Sequence, residues 1–257
     1  MPIRDDNEQL LLRVRSRFGK AMQDYGLVAD GDRVLVGLSG GKDSLALVEL
    51  LGERSRVFKP RFSVVAAHIS VDNVPYKADT GYLKAFCESH HTEFRHYTVH
   101  FEPDREEGRT PCYLCARARR KRLFDAAREL GCGKLALGHH QDDIATTLLM
   151  NLTFQGSFAT MPPYLATSKL DVDIIRPLCL CRERDLRGLA RLRGYRRQDK
   201  NCPYETQSRR AGMREVLERL EEMNPEAIET MWGAMTHIQP EYLPKAVNGK
   251  AAAREGL

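Results

Sequence analysis

Three groups of residues in this chain have the types and spacing to do chemistry. The first is Ser39-Gly40-Gly41-Lys42-Asp43-Ser44, which follows the apolar run at 34–38. A strand entering a glycine turn that opens a helix aims backbone N–H groups and the positive helix end at one spot. Adjacent glycines let a bulky anion approach the backbone closely. Ser39 and Ser44 add hydroxyl donors and Lys42 adds a charge. The string therefore reads as a pyrophosphate cradle. It is not a Walker A loop, because Lys42 is followed by Asp43 and the glycine spacing fails; the dinucleotide pattern Gly-x-Gly-x-x-Gly fails too. An ordinary glycine-rich turn is the plain alternative, and the complete string after a buried strand disfavours it.

The second group is Cys112-Tyr113-Leu114-Cys115, at the start of a helical pattern. Two thiols one turn apart can grip one metal centre, and a helix N-terminus lowers their pKa. Half a zinc site, a redox disulfide and iron–sulfur ligation all fit. Zinc normally takes four protein ligands, and no second Cys-x-x-Cys exists, since Cys179-Leu180-Cys181 has the wrong spacing. Cys202, in Lys200-Asn201-Cys202-Pro203-Tyr204, is a third candidate. Three thiolates on a four-iron cluster would leave one iron open to an exogenous sulfur. The third group is Gly138-His139-His140-Gln141-Asp142-Asp143. Its carboxylates could hold Mg²⁺ against a triphosphate or orient a substrate base, or Asp142 could simply cap the next helix. His139 and His140 have an acid–base reading beside a packing one.

Apolar strand-sized runs at 34–38, 62–69, 93–99, 134–138 and 172–175 alternate with helical patterns at 43–51, 78–90, 113–130, from 142 onward and 182–193. Alternation of this kind predicts a doubly wound α/β fold with a mostly parallel sheet covered on both faces. Ligands of such sheets bind at the carboxyl ends of strands, where the first and third groups fall. The segment 154–170, with Gly156 and Pro162-Pro163, reads as a loop. Residues 8–27 form an amphipathic helix with a basic face, and 208–223 and 226–235 are helical. The expected organisation is an N-terminal basic helix in 1–29, a catalytic body in 30–200, and a helical segment with a frayed tail in 201–257.

The chain has 257 residues, a net charge of +5 and seven cysteines. An odd cysteine count without a leader-like N-terminus points to the cytoplasm and away from a disulfide framework. The apolar stretches are too short to span a membrane. Arginines crowd into 117–122, 182–197 and 209–214, which suits a polyanion such as RNA or, equally, solvated helix faces.

Ser-Gly-Gly-Lys-Asp-Ser resembles the signature of the PP-loop ATP pyrophosphatases, which form AMP and pyrophosphate while adenylating a substrate oxygen. The Cys112–Cys115 pair, Arg117, Arg119 and Arg120, Leu137-Gly138-His139-His140-Gln141-Asp142-Asp143, Ile175-Arg176-Pro177-Leu178, Cys181-Arg182-Glu183 and Cys202 narrow the likeness. In order and context they are similar to the tRNA 2-thiocytidine synthetases, which thiolate cytidine 32. The likeness runs from about Arg13 to Pro244. It implies an adenine nucleotide alpha hydrolase-like fold with helical N- and C-terminal extensions. It implies a [4Fe-4S] cluster on Cys112, Cys115 and Cys202, and ATP with Mg²⁺ at Ser39, Gly40, Gly41, Lys42, Asp43 and Ser44. His68, Ser70, Gly138 and His139 are placed around the nucleotide, and Asp142, Asp143, Arg119 and Lys42 in catalysis. The implied partners are tRNA and a sulfur donor, either a cysteine desulfurase or sulfide; a homodimer is compatible. The 2-thiouridine 54 synthetases share the loop and the three cysteines but add zinc-binding cysteine motifs at both ends, which are missing here. The alternatives are such a 2-thiouridine enzyme, an adenylating ligase of the same superfamily, or a non-catalytic RNA-binding module with structural zinc.

Overall fold

The computed structural model describes residues 5–74, 78–103, 107–108, 110–168, 171–196, 198 and 209–244. Among these residues six strands form one sheet: β1 (Arg33–Gly37), β2 (Ser63–Val71), β3 (Glu93–Val99), β4 (Lys134–Ala136), β5 (Tyr164–Leu165) and β6 (Asp173–Ile175), in the order β3-β2-β1-β4-β6-β5. All neighbours are parallel except β5 with β6.

Strand alternation explains why the central strands read as unbroken apolar runs. Val34 and Val36 of β1, with Val64 and Ala66 of β2, face one core. Leu35, Val65 and Ala67 face the other. The first core is closed by α1 (Asp6–Asp24), α2 (Lys42–Ser55), α3 (Thr80–Ser89) and α6 (Glu183–Leu192) through Val14, Phe18, Leu47, Leu83, Leu186 and Leu189. The second is closed by α4 (Pro111–Glu129) through Phe124, Ala126 and Ala127. Side chains buried on both faces of the pleat are what make these strands read as continuous apolar runs rather than alternating ones.

The N-terminal helix therefore shares the main core. Beyond the sheet, α5 (Gln141–Met150) packs with α7 (Arg209–Met223) and α8 (Ala227–Ala234) through Ala145, Leu217 and Ile228. The segment expected to be a loop differs in two places. A π-helical turn, Asn151–Gln155, continues α5 and ends at Gly156. Then β5 adds an antiparallel edge strand directly after Pro163, a position where a missing N–H costs no ladder bond.

The order 3-2-1-4 reverses direction between β1 and β4. That switch point lies between β1 and β4, and the carboxyl ends of the two strands are the usual ligand position in such a sheet. The glycine loop leaves β1 and the His139–Asp143 turn leaves β4, so the topology brings the first and third sequence groups to one place.

Candidate active site

The glycine loop is held by its own hydroxyls. Ser39 Oγ lies 3.1 Å from Ser44 Oγ and accepts from the Gly41 amide at 3.3 Å, while Ser44 Oγ donates to the Gly41 carbonyl at 2.9 Å. Gly40 adopts φ +81°, a conformation that suits glycine. Gly41 is the N-cap of α2 and offers no side-chain cap. The first amides of α2 are thus left to an external acceptor, the arrangement a phosphate needs. Lys42 Nζ sits 3.0 Å from Asp43 Oδ2 and 3.2 Å from Glu183 Oε1. The other Asp43 oxygen, Oδ1, is buried with no hydrogen-bond partner among the described residues. An orphaned buried carboxylate oxygen one residue from the phosphate cradle fits a hard cation, since Mg²⁺ is commonly bound by one or two carboxylates plus substrate phosphates.

Gly138 makes the second wall possible. A Cβ there would lie 3.2 Å from the Asp43 carbonyl carbon and from the Ser44 amide nitrogen. Glycine lets the β4 turn pack on the loop backbone without displacing it, where a larger residue would have to push that backbone by a few tenths of an ångström.

The following turn is densely charged. His140, buried, caps α5. Its Nδ1 is 3.4 Å from the Asp143 amide and 3.5 Å from Asp142 Oδ2, and its Nε2 is 3.4 Å from Asp143 Oδ2. Nδ1 accepts from the amide when neutral or donates to Asp142 when charged; it cannot do both. Burial opposes the charge, but Asp142, Asp143 and Asp43 outweigh it and raise its pKa. His139 next to it goes the other way: burial, with Arg176 and Arg210 nearby, lowers it to about 4 despite Asp143. Its Nδ1 has no partner among the described residues.

Asp142 and Asp143 are separated by their partners. Asp142 accepts from Arg182 Nε at 3.3 Å and Nη2 at 3.2 Å, and from the Glu183 amide at 2.8 Å. Burial would raise it, yet His140, Arg182 and that amide hold it well below the usual carboxylate range. Asp143 Oδ1 accepts from Arg210 at 3.0 Å and Arg214 at 3.1 Å. Its pKa is also lowered, against burial, by His140 and Arg210.

His68 is buried, and its Nδ1–H donates to the Leu38 carbonyl at 2.8 Å, immediately before the loop. Burial lowers it to about 4, and Arg119 pushes in the same direction. It is a neutral brace for the strand end, and Arg119 of α4 lies within its electrostatic reach. Ser70 Oγ lies 2.8 Å from His96 Nε2. Cys112 is exposed and Cys115 half-buried in the first turns of α4, where Thr110 is N-cap and Pro111 opens the helix. The remaining described cysteines are buried: Cys87, Cys179 and Cys181 are pushed up to about 12, and Cys132 is raised too, by loss of solvent. Thiols of that kind are poor ligands at neutral pH, so the surface pair is the one chemically suited to a metal centre. Cys202 lies outside the described residues. Among those residues no group of three or more His, Cys, Asp or Glu is placed to hold a metal, so the pair needs a further donor.

Sequence reasoning placed Arg182, Arg210 and Arg214 only in arginine clusters suited to a polyanion, not on Asp142 and Asp143, and gave no role to Glu183 or Gln198. Arg182 and Glu183 stood in the string Cys181-Arg182-Glu183 after the buried turn 176–181, a signal of an element that begins at the site. Nothing local to the 209–214 cluster or to Gln198 points to these partners. No helix among the described residues is long and apolar enough to cross a membrane.

A switch-point crevice with an uncapped glycine loop and no Walker spacing defines the PP-loop class of ATP-using proteins. The model of the PP-loop domain matches residues 10–220. A Chromohalobacter salexigens protein named tRNA-cytidine(32) 2-sulfurtransferase is 36% identical, covering 91% of this chain and 84% of its own length. A Tolumonas auensis protein of the same name is 33% identical over 98% of this chain and 86% of its own. Among solved structures, the U34-tRNA thiolase NcsA from Methanococcus maripaludis with its [4Fe-4S] cluster aligns with a TM-score of 0.70 at 26% identity, over 91% of this chain and 81% of that one. The chain belongs to the PP-loop family of tRNA-cytidine(32) 2-sulfurtransferases.

Proposed function

We propose that the chain is a cytoplasmic, ATP-dependent tRNA thiolase that replaces the C2 oxygen of cytidine 32 with sulfur. The carrying observation is the uncapped loop with its orphaned Asp43 oxygen, in a chain that aligns over nine-tenths of its length with curated sulfurtransferases of that specificity. ATP lies on Ser39–Ser44. Lys42 leaves Asp43 and Glu183 for the phosphates, and Asp43 Oδ1 would hold Mg²⁺. The C2 oxygen of the base attacks the α-phosphorus and pyrophosphate leaves. The loop amides and Lys42 stabilise the charge that develops on the phosphoryl oxygens. Sulfur then attacks C2, and AMP departs carrying the former C2 oxygen.

Cys112, Cys115 and Cys202 would hold the [4Fe-4S] cluster, which, when bound, supplies the place where the incoming sulfur is kept as a nucleophile. Of the acidic pair, we assign Asp143 to the reaction chamber and Asp142 to positioning. Asp142 is held by the buried Arg182 and the Glu183 amide, whereas Arg210 and Arg214, which hold Asp143, are far more exposed and free to withdraw. Arg119 is assigned to the side of the chamber near His68, and His139 and Gly138 to the nucleotide wall. A base in a tRNA loop must leave its stack to enter, which costs little in a single-stranded loop.

The test is nucleoside mass spectrometry of tRNA from a strain lacking the gene, complemented with this chain. Restored 2-thiocytidine, lost with Cys112→Ser and with Lys42→Ala, is expected. Appearance of 2-thiouridine instead would move the assignment to a uridine enzyme. Restoration undiminished by Cys112→Ser would remove the cysteine pair from the chemistry.

A further inference from the structure

Arg176 is a buried cation without a counter-ion. It is 6% exposed, and among the described residues its side chain makes one hydrogen bond, from Nη1 to the Pro162 carbonyl at 2.6 Å. Its Nε is buried with no partner among those residues. None of their carboxylates acts on it. The groups in electrostatic reach are the Cys179 thiol, which burial pushes up to about 12 and so keeps neutral, and a second cation, Arg120 of α4. Arg182 shows the usual remedy: it is as deeply buried but meets Asp142, Glu221 and Glu229. A charge taken out of water is costly unless an opposite charge meets it, and for Arg176 the chain supplies none among the described residues.

Its place in the sheet is the ligand edge. Ile175, the last residue of β6, pairs with Ala136 of β4, and its carbonyl accepts from the Leu137 amide at 3.0 Å. Arg176 thus follows a strand end directly beside the turn that carries Gly138 and His139. His139 feels both Arg176 and Arg210, and its Nδ1 is a second buried atom without a partner among the described residues. With Nη1 tied to Pro162, the edge left over on Arg176 is Nε with Nη2. That edge is the fork that takes two oxygens of one phosphate group.

Strand order separates this fork from the triphosphate cradle. β6 lies two strands from β1, so Arg176 stands roughly 10 Å across the sheet from the glycine loop, at about 4.8 Å per strand. The cradle has its own donors in the loop amides and Lys42. The cation that shares the field of Arg176 is instead Arg120, which is exposed on the helix that begins with Cys112 and Cys115.

We propose that Arg176 binds one backbone phosphate of the substrate tRNA, next to the cytidine that enters the chamber, with Arg120 adding to the attraction. The edge is shut off from water in the free protein, so seating the phosphate takes a small local shift, and pairing the buried charge favours that shift. The inference rests on the reading of the chain as a tRNA thiolase and names the contact that holds the strand once the base has left its stack.

The test is binding, not turnover, of the full chain. Affinity for tRNA is measured against salt for the wild type and Arg176→Met, and again with tRNA in which a neutral methylphosphonate replaces the phosphate on one side or the other of cytidine 32. Binding of a non-hydrolysable ATP analogue and urea unfolding are measured in parallel. Arg176→Met should bind tRNA about tenfold more weakly and lower the salt slope by about 0.7–0.9, with analogue binding unchanged. One of the two neutral linkages should weaken the wild type by a similar factor and leave Arg176→Met unaffected. The urea midpoint should not fall, because an uncompensated charge has been removed. A lower midpoint with an unchanged salt slope would make Arg176 a structural residue and overturn the proposal. Loss of analogue binding with tRNA binding intact would move the fork to a phosphoryl group of ATP and overturn the RNA assignment. If Arg176→Met does not fold, Arg176→Lys, which keeps the charge without the fork, should keep the salt slope and show a smaller methylphosphonate penalty; an undiminished penalty counts against the fork. A wild-type chain that binds the analogue but not tRNA sinks the thiolase reading itself.

Discussion

At the scale of single residues, the site depends on close approach and on groups kept uncharged. A Cβ added at Gly138 would lie 3.2 Å from the loop backbone, at Asp43 and Ser44. Gly138→Ala should displace the loop by a few tenths of an ångström and raise KM for ATP by about tenfold, since small misplacements of positioned groups are costly. Gly133→Ala is the control: a Cβ there meets nothing within 4 Å, and its KM should be unchanged. An equal effect in both would show that the contact does not matter. His68 tests the other property. Its folded pKa is about 4, below the ordinary 6.5, because it is buried. Between those values the unfolded chain binds a proton that the folded one refuses. Stability should therefore be full above pH 6.5 and fall as pH drops toward 4. At about 1.4 kcal/mol per unit, the loss is of order 3 kcal/mol at most. The urea midpoint against pH should be shallower for His68→Gln; an identical slope would assign the acid sensitivity elsewhere, with His139 the next candidate.

At the scale of elements, one arginine ties together what the sequence leaves apart. Arg182 is 1% exposed and stands at the N-cap of α6. It pairs with Asp142 of α5, Glu221 of α7 and Glu229 of α8. Removing a buried charge from such a set leaves carboxylates without compensation, at a cost of about 3–5 kcal/mol. Arg182→Met should lose that amount in urea unfolding, and Arg182→Lys less. A loss under about 1 kcal/mol would mean that solvent replaces the pairing. The fold itself was legible because its signals are local. Apolar runs, Thr110-Pro111 before α4 and the glycine loop after β1 each specify their own element. Helix bounds moved by only a few residues: 113–130 became Pro111–Glu129, and 182–193 became Glu183–Leu192. The two-residue β5 was not legible, since its strand character comes from pairing with β6 and not from its own pattern. The same holds for the partners of the site. Glu183 on Lys42, Arg210 on Asp143 and Gln198 beside Gly40 are meetings of residues 67 or more positions apart.

At the scale of the whole molecule, the question is which basic surface meets the RNA. The sequence offered the face of α1, but its cations have partners at home. Arg13 pairs with Asp185 at 3.0 Å and Arg15 with Glu53 at 2.9 Å, while Arg17 reaches both Asp185 and Glu229. Asp185 is buried, so withdrawing Arg13 from it toward a phosphate would leave a carboxylate poorly solvated. On α4, Arg120 and Lys121 are exposed, on the helix that begins with Cys112 and Cys115. A strand whose target base lies near the cysteine pair would carry its neighbouring phosphates along this face. Each phosphate contact contributes about 0.7–0.9 to the slope of log K against log salt. An Arg120→Ala, Lys121→Ala double variant should therefore flatten that slope for tRNA binding by about 1.4–1.8. Arg13→Ala should leave the slope unchanged and lower the melting temperature instead. The reverse result, with a flattened slope for Arg13→Ala and none for the double variant, would place the RNA along α1. In that case the ion pairs of α1 would be exchanged for phosphates on binding.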